Sequence, residues 1–395
     1  MNLNETKVKL LAGLRNLKLR IRRTAKLWGS VFLLSPLYWL CCLQPVEENL
    51  VVLADGHQSK MPYSMFALSR ELKKYPDLKV VEYFHDYSFC GMFKSLTVMM
   101  RFMPLYARAR YVFISDCYVP VSCCKKRKET VVVQLWHSCG LMKQVGADSE
   151  VEKKSMSPWQ YRNYDVFTTS AACVSDTLSG AMGIPRQVFS EAGVSRMDIL
   201  FSESWKQQIR ESFYKDYPEY RGKKIILWAP TFRGSAQTGY VAGEEEILRL
   251  QKELPADYAL IVKTHRFARN KELDSKVTYA AEYLQILADV LITDYSSIYF
   301  DYLYFRRPVV LFAPDLEAYL STVGLYRPYE TIPGKLVQDY DRLREAVLTT
   351  DSWADEDYIA RMDRLWDEQM AYCDGRSTEK LLTQIGLLPR KTATN

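Results

Sequence analysis

The chain has 395 residues, 53 of them basic and 47 acidic, for a formal net charge of +6. That length exceeds one ordinary hydrophobic core and predicts two domains, and 48% apolar with 25% charged residues is globular composition. Residues 1–26 alone hold eight basic residues and one acid, so the remaining 369 are near neutral, which excludes a nucleic-acid-binding body with a basic face.

The basic arm comes first. Leu10, Leu14, Leu17 and Ile21 fall on one helical stripe, with Lys9, Arg15, Arg20, Arg22, Arg23 and Lys26 on the opposite side. Such a helix lies on an anionic lipid surface. The apolar run Leu27–Leu43 follows, interrupted by Pro36 and at the short limit for a spanning helix. Residues 1–45 are therefore expected to form an amphipathic membrane-association segment. An interfacial or re-entrant anchor is preferred for the apolar run, ahead of a core helix or a spanning one.

The body alternates strand-like and helical stretches. Strands are expected at Leu50–Ala54, Lys79–Phe84, Tyr111–Ser115, Thr130–Trp136, Val166–Thr169 and Val188–Ser190, with a helix at Pro62–Tyr75. Their nearly continuous apolar character is that of strands buried on both faces of a parallel sheet. Residues 201–222 are polar and helical in character, ending in Pro218 and Gly222, and read as a linker. Strands resume at Ile225–Ala229, Ala259–Lys263, Val277–Tyr279, Val290–Thr293 and Val309–Ala313, before a helix-rich tail from Asp339 to Leu388. The expectation is an α/β protein of two Rossmann-like domains, residues 46–200 and 223–388, with a cleft between them and a disordered tail at 389–395.

Nine cysteines without a C-x-x-C spacing suggest reduced thiols in a cytosolic setting. Four histidines, none in a ligand pair, argue against a metal site.

In sheets of this type, ligands bind beyond the C-terminal ends of the strands. Four segments lie there. Gln134-Leu-Trp-His-Ser-Cys-Gly140 ends a strand at His137, a side chain suited to taking a proton from a hydroxyl. It is equally suited to being a packed, hydrogen-bonded core histidine. Trp228-Ala-Pro-Thr-Phe-Arg-Gly234 offers Thr231 and Arg233, the latter either a bidentate phosphate ligand or a salt-bridge partner. Lys263 and His265 alternate at a third strand end, where two cationic groups would make a phosphate site or simply be displayed to solvent. Leu291-Ile-Thr-Asp-Tyr-Ser-Ser-Ile-Tyr-Phe-Asp301 runs from a strand into a helix that Asp294, Ser296 or Ser297 can cap, leaving free N–H groups for an anion. Asp301 lies one turn beyond Ser297 and is expected to hold a ribose, a serine or a basic side chain rather than a phosphate.

Together and in this order, the segments resemble the CDP-glycerol glycerophosphotransferase family of teichoic acid synthesis. The matching stretches are Trp136-His137, Ala229-Pro-Thr-Phe-Arg233, Lys263-Thr-His265 and Ile292-Thr-Asp-Tyr-Ser-Ser-Ile-Tyr-Phe-Asp301. An altered G-x-P-R-x-D motif stands as Gly193-Val-Ser-Arg196-Met-Asp198. The resemblance implies a GT-B fold and a donor, CDP-glycerol or CDP-ribitol, bound mainly by the C-terminal half. It also implies a lipid-linked polymer acceptor of the wall teichoic acid or capsule type, bound mainly by the N-terminal half at the cytoplasmic face of a bacterial membrane. His137 and His265 become the catalytic pair. Thr231, Arg233, Lys263, Ser296, Ser297 and Asp301 become donor-side residues, and Gly140, Lys143, Arg196 and Asp198 acceptor-side or structural ones. No cofactor and no metal are expected, so that activity persists in excess chelator. Ser138-Cys139-Gly140 departs from the family's Gly-Thr-Pro, and Ser195 replaces its proline. A nucleotide-sugar glycosyltransferase or epimerase, and a non-catalytic membrane scaffold, are the competing readings.

Overall fold

A computed structural model of the protein describes residues 29, 31–87, 90–153, 156, 159–234, 239–265, 268 and 276–389. The basic arm and the expected C-terminal tail beyond residue 389 lie outside the described residues. The described residues form two compact units, the first running to His137 and including Glu152–Phe167, the second including Ser138–Val151 and running on from Thr168.

In the first unit, strands β1 (Glu47–Asp55), β2 (Lys79–Phe84), β3 (Ala109–Ile114), β4 (Val131–Gln134) and β5 (Val166–Thr168) run parallel in the order β2-β1-β3-β4-β5. The last six residues of β1 are buried, as its unbroken apolar run requires. Helices Tyr63–Leu72 and Met92–Arg108 make the crossovers on either side of β2.

The second unit opens its sheet with β7 (Lys224–Trp228) and continues with β8 (Tyr258–Val262), β9 (Val290–Thr293), β10 (Val309–Phe312) and β11 (Lys335–Val337), after a two-residue strand β6 (Phe189–Ser190). Its five strands are parallel in the order β11-β10-β9-β7-β8. Alternate residues divide between two cores: Ile225 and Leu227 with Leu291 on one face, Ile226 and Trp228 with Ile292 on the other. The first five strands of the six-stranded first sheet and all five of the second run in the order 2-1-3-4-5, so each sheet has a switch point between its first and third strands where the connections diverge.

Three expectations are corrected. Residues 201–222 are not a free linker: the helix Glu203–Asp216, capped by Ser202, buries Ile209 and Phe213 in the same core as Ile225 and Leu291. Val194, Met197 and Leu200 join that core, so the chain from Thr168 onward belongs with the second unit and residue 200 is no boundary. Val277–Tyr279 is not a strand. Val277 is buried, which accounts for its apolar signal, but its carbonyl accepts from the Lys263 amine rather than from a neighbouring strand.

The apolar run also resolves differently from its favoured reading. Residues 31–41 are helical through Pro36. Leu34 and Tyr38 are buried, with Tyr38 packed on Tyr106, while Phe32, Leu33, Trp39 and Leu40 face outward. Arg127 fastens the end of this helix, donating its backbone N–H to the Tyr38 hydroxyl and its guanidinium to the Cys42 carbonyl. The segment is therefore a core-docked helix with an apolar outer face. Among the described residues no helix is long and apolar enough to cross a membrane.

Candidate functional site

The switch point of the second sheet lies between β7 and β9, and both ends are polar. Past β7, the Thr231 backbone N–H donates to Asp294 Oδ1 at 2.8 Å, joining the two strand ends. The Thr231 hydroxyl is buried and makes no hydrogen bond to any described residue. Arg233 is also buried. Its Nε and one terminal nitrogen grip the Asp315 carboxylate at 2.8 and 3.0 Å, the same nitrogen reaches Asp294 at 2.9 Å, and the other binds the Thr231 carbonyl. Its guanidinium also faces the stacked rings of Tyr295 and Tyr319. The Arg233 fork is thus engaged by two carboxylates that fix the loop, the salt-bridge alternative to a phosphate contact. Burial works against its charge, but Asp315 and Asp294 outweigh that and hold its pKa above the ordinary value.

Past β9 the helix is short. Ile298–Tyr302 is α-helical and Leu303–Phe305 a tighter turn. Ser297 occupies the N-cap without a side-chain cap bond, while Asp294 Oδ1 accepts from Thr231 and Tyr295. The expected serine or aspartate cap does not form, and Ser296 and Ser297 stand half-buried at the helix start.

Past β8, Lys263 sends its amine to the Val277 carbonyl at 3.1 Å. His265 is exposed and stacks on Phe232 at 4.4 Å between centroids. Lys263 and His265 thus follow the strand next to the one that leads into Thr231, since β7 and β8 are neighbours.

Arg196 and Asp301 form a buried ion pair, 7% and 1% exposed, matching the basic-partner option for Asp301. Burial pushes the Asp301 carboxyl up, with Arg196 opposing. Asp198 accepts from the Ser377 and Thr378 backbone N–H groups at the start of the helix Ser377–Gln384. These three residues bind the unit together rather than face solvent. Gly140 has φ +59°, and a Cβ there would meet the Phe300 ring at 2.3 Å, so only glycine fits. Lys143 pairs with Leu325 in an isolated antiparallel bridge. Cys139 is buried, and contact with Cys373 and burial push its thiol pKa up, which disfavours a nucleophilic thiolate.

His137 belongs to the first unit, where it ends the β4 turn. Trp136 before it takes φ +59°, an uncommon left-handed conformation for a bulky residue, and packs at a tilt against both His137 and Phe167. The turn is held by buried Gln134, whose amide oxygen accepts from the Trp136 N–H and whose amide nitrogen donates to the Asp116 carbonyl. His137 Nδ1 lies 3.9 Å from Asp116 Oδ2, and His57 Nε2 lies 3.9 Å from the same oxygen. The sequence reading passed over His57 and Asp116. Both directly follow apolar strand runs, the signal that singled out the other four segments. Among the described residues no group of three or more His, Cys, Asp or Glu could hold a metal ion.

The chain was compared with known proteins. A family profile described as CDP-Glycerol:Poly(glycerophosphate) glycerophosphotransferase matches residues 37–387. The teichoic acid ribitol-phosphate primase of Bacillus spizizenii is 29% identical over 364 residues, spanning 87% of this chain and 92% of the primase. The teichoic acid ribitol-phosphate polymerase TarL of Staphylococcus aureus is 32% identical over 297 residues, 71% of this chain and 52% of the polymerase. The solved structure of the wall teichoic acid polymerase TagF has the same fold, with a TM-score of 0.74 at 18% identity over 93% of this chain and 97% of that one.

Proposed function

This chain belongs to the CDP-glycerol:poly(glycerophosphate) glycerophosphotransferase family, and we propose that it transfers a polyol-phosphate from a CDP-linked donor to a hydroxyl of a lipid-linked teichoic acid or related polymer, releasing CMP. One observation carries the assignment to particular residues. In both units the chemistry-bearing side chains stand at the switch point or the strand end beside it, where α/β sheets bind ligands. The likeness to a ribitol-phosphate primase along 92% of that protein favours CDP-ribitol over CDP-glycerol.

His137 takes the proton of the acceptor hydroxyl, whose oxygen attacks the phosphorus bearing the polyol. The bond to the CMP oxygen breaks, and Lys263 and His265 offset the charge that develops there. Ser296, Ser297 and the unpartnered Thr231 hydroxyl supply neutral donors to the diphosphate. Arg233 acts at one remove, holding the Thr231 loop through Asp294 and Asp315. Such transfer depends mostly on positioning and charge stabilisation. His137→Ala and His265→Ala should each lower CMP release by about a hundredfold or more with the fold intact. Wild-type turnover in His137→Ala would remove the base from this scheme.

We also assign the protein to the cytoplasmic membrane face. Phe32, Leu33, Trp39, Leu40 and Leu43 are exposed on the first unit, as are Met92, Phe93 and Met100 of the helix Met92–Arg108, with Leu43 at 82% and Phe93 at 81%. Lys94 and Arg101 lie on that same helix, and the basic arm precedes the first patch in sequence. Apolar residues flanked by cations suit the interface of an anionic bilayer.

A further inference from the structure

We infer that Asp116 is a positioning residue for His137, braced on its other side by His57; this rests on the reading of His137 as the base. The three residues follow β3, β4 and β1, which are adjacent in the sheet, and His57 and Asp116 flank the β1/β3 switch point itself. One carboxylate oxygen, Asp116 Oδ2, faces both imidazoles at 3.9 Å. The other, Oδ1, accepts the Cys117 N–H at 2.6 Å. The carboxylate is therefore oriented by its own backbone, with Oδ2 directed at the two rings.

The loops that carry the three groups are tied to one another. The Leu135 N–H donates to the Ile114 carbonyl at 2.7 Å, and Gln134 links the Trp136 N–H to the Asp116 carbonyl. On the β1 side, Asp55 Oδ1 accepts from the His57 and Gln58 N–H groups, and its other oxygen bonds the Ser115 hydroxyl. Ser115 and Asp116 are consecutive, so the His57 turn is fixed to the same strand end that places Asp116. Among the described residues, other titratable neighbours include Tyr87, Cys117, Tyr118, Glu152, Tyr161 and Tyr164. Burial above all, with nearby negative charge, raises the pKa of the four phenols, which keeps them neutral near neutral pH.

The chemistry follows from which ring nitrogen faces the carboxylate. Nδ1 is the ring nitrogen of His137 turned toward Asp116, and in the proposed scheme Nε2 takes the proton of the acceptor hydroxyl. When Nε2 takes the proton, the carboxylate at Nδ1 stabilises the imidazolium and holds the tautomer that accepts. No proton is transferred to Asp116 in this scheme. His57 holds the carboxylate from the far side and so limits its rotation away from His137. At 3.9 Å each contact is a charge–imidazole approach rather than a formed hydrogen bond.

The test uses the full chain and CMP release from CDP-ribitol or CDP-glycerol with a lipid-linked acceptor. Asp116→Asn, Asp116→Glu and His57→Gln are made alone and in the His137→Ala background, with residual turnover read by a radiolabelled single-turnover assay. Asp116→Asn should lower kcat at least about tenfold while the donor KM and the melting temperature hold, and Asp116→Glu should recover part of the loss. His57→Gln should show a smaller loss of the same kind. Neither should lower the residual rate of His137→Ala, because a residue acting through His137 has nothing left to act on. The inference is overturned if Asp116→Asn stays within about twofold of wild type, if its loss lies in KM or melting temperature, or if it adds in full to His137→Ala. A His137→Ala protein of wild-type activity would instead defeat the assignment of the base itself.

Discussion

Arg233 shows how a single side chain changes meaning once its partners are known. A phosphate ligand there would affect substrate binding first. The observed guanidinium is buried on Asp294 and Asp315, so Arg233→Ala strands two carboxylates, and folding stability should fall by about 3 kcal/mol in a denaturant titration. The pH dependence has a definite sign. Burial would raise the Asp315 carboxyl, but hydrogen bonds and charge from Arg233 outweigh it and hold it below the ordinary carboxylate value. Its contribution to stability is full above the unfolded value of about 3.9 and is lost as pH falls through the lower folded one. Asp315→Asn should therefore melt below wild type at neutral pH, with the gap closing under acid conditions. An unchanged gap at low pH would contradict the pairing. The sequence showed that Arg233, Lys263 and His265 follow strands, but not which of them meets carboxylates. Asp315 lies 82 residues from Arg233, a distance that no local pattern encodes.

Elements were more legible than side chains. Strands buried on both faces betray themselves by continuous apolar runs, and Val290–Thr293 and Val309–Phe312 stand where those runs lie. Val277 shows the limit of the rule, since a buried loop residue carries the same signal as a short strand. In the other direction, Lys335–Val337 was missed because three residues give too little pattern. The helix Glu203–Asp216 was read as a connection because its surface is mostly polar, although Ile209 and Phe213 at spacing four make one buried stripe. Phe213 is fully buried, and Phe213→Ala should cost about 3–5 kcal/mol of stability by chemical denaturation. A loss under about 0.5 kcal/mol would restore the linker reading.

At the scale of the molecule, two sheets that share a 2-1-3-4-5 run of strands each place polar residues at the same topological position. That repetition was not visible as a sequence repeat, because strand order is set by pairing between distant segments. The apolar surface of the first unit is a second feature of this scale. Replacing Leu40, Leu43 and Phe93 with glutamate should release the protein from vesicles containing anionic lipid in a co-sedimentation assay, and moderate salt should weaken wild-type binding. Equal retention of the triple variant would leave the outer face without a membrane role.

The central claim, transfer from a CDP-linked polyol, is met most directly by supplying the purified protein with a lipid-linked acceptor and CDP-ribitol, CDP-glycerol or a UDP-sugar, and following nucleotide release. The account predicts acceptor-dependent CMP from a CDP-polyol, greater with CDP-ribitol, and no turnover of the UDP-sugar. Release of a uridine nucleotide with neither CDP-polyol consumed would contradict it.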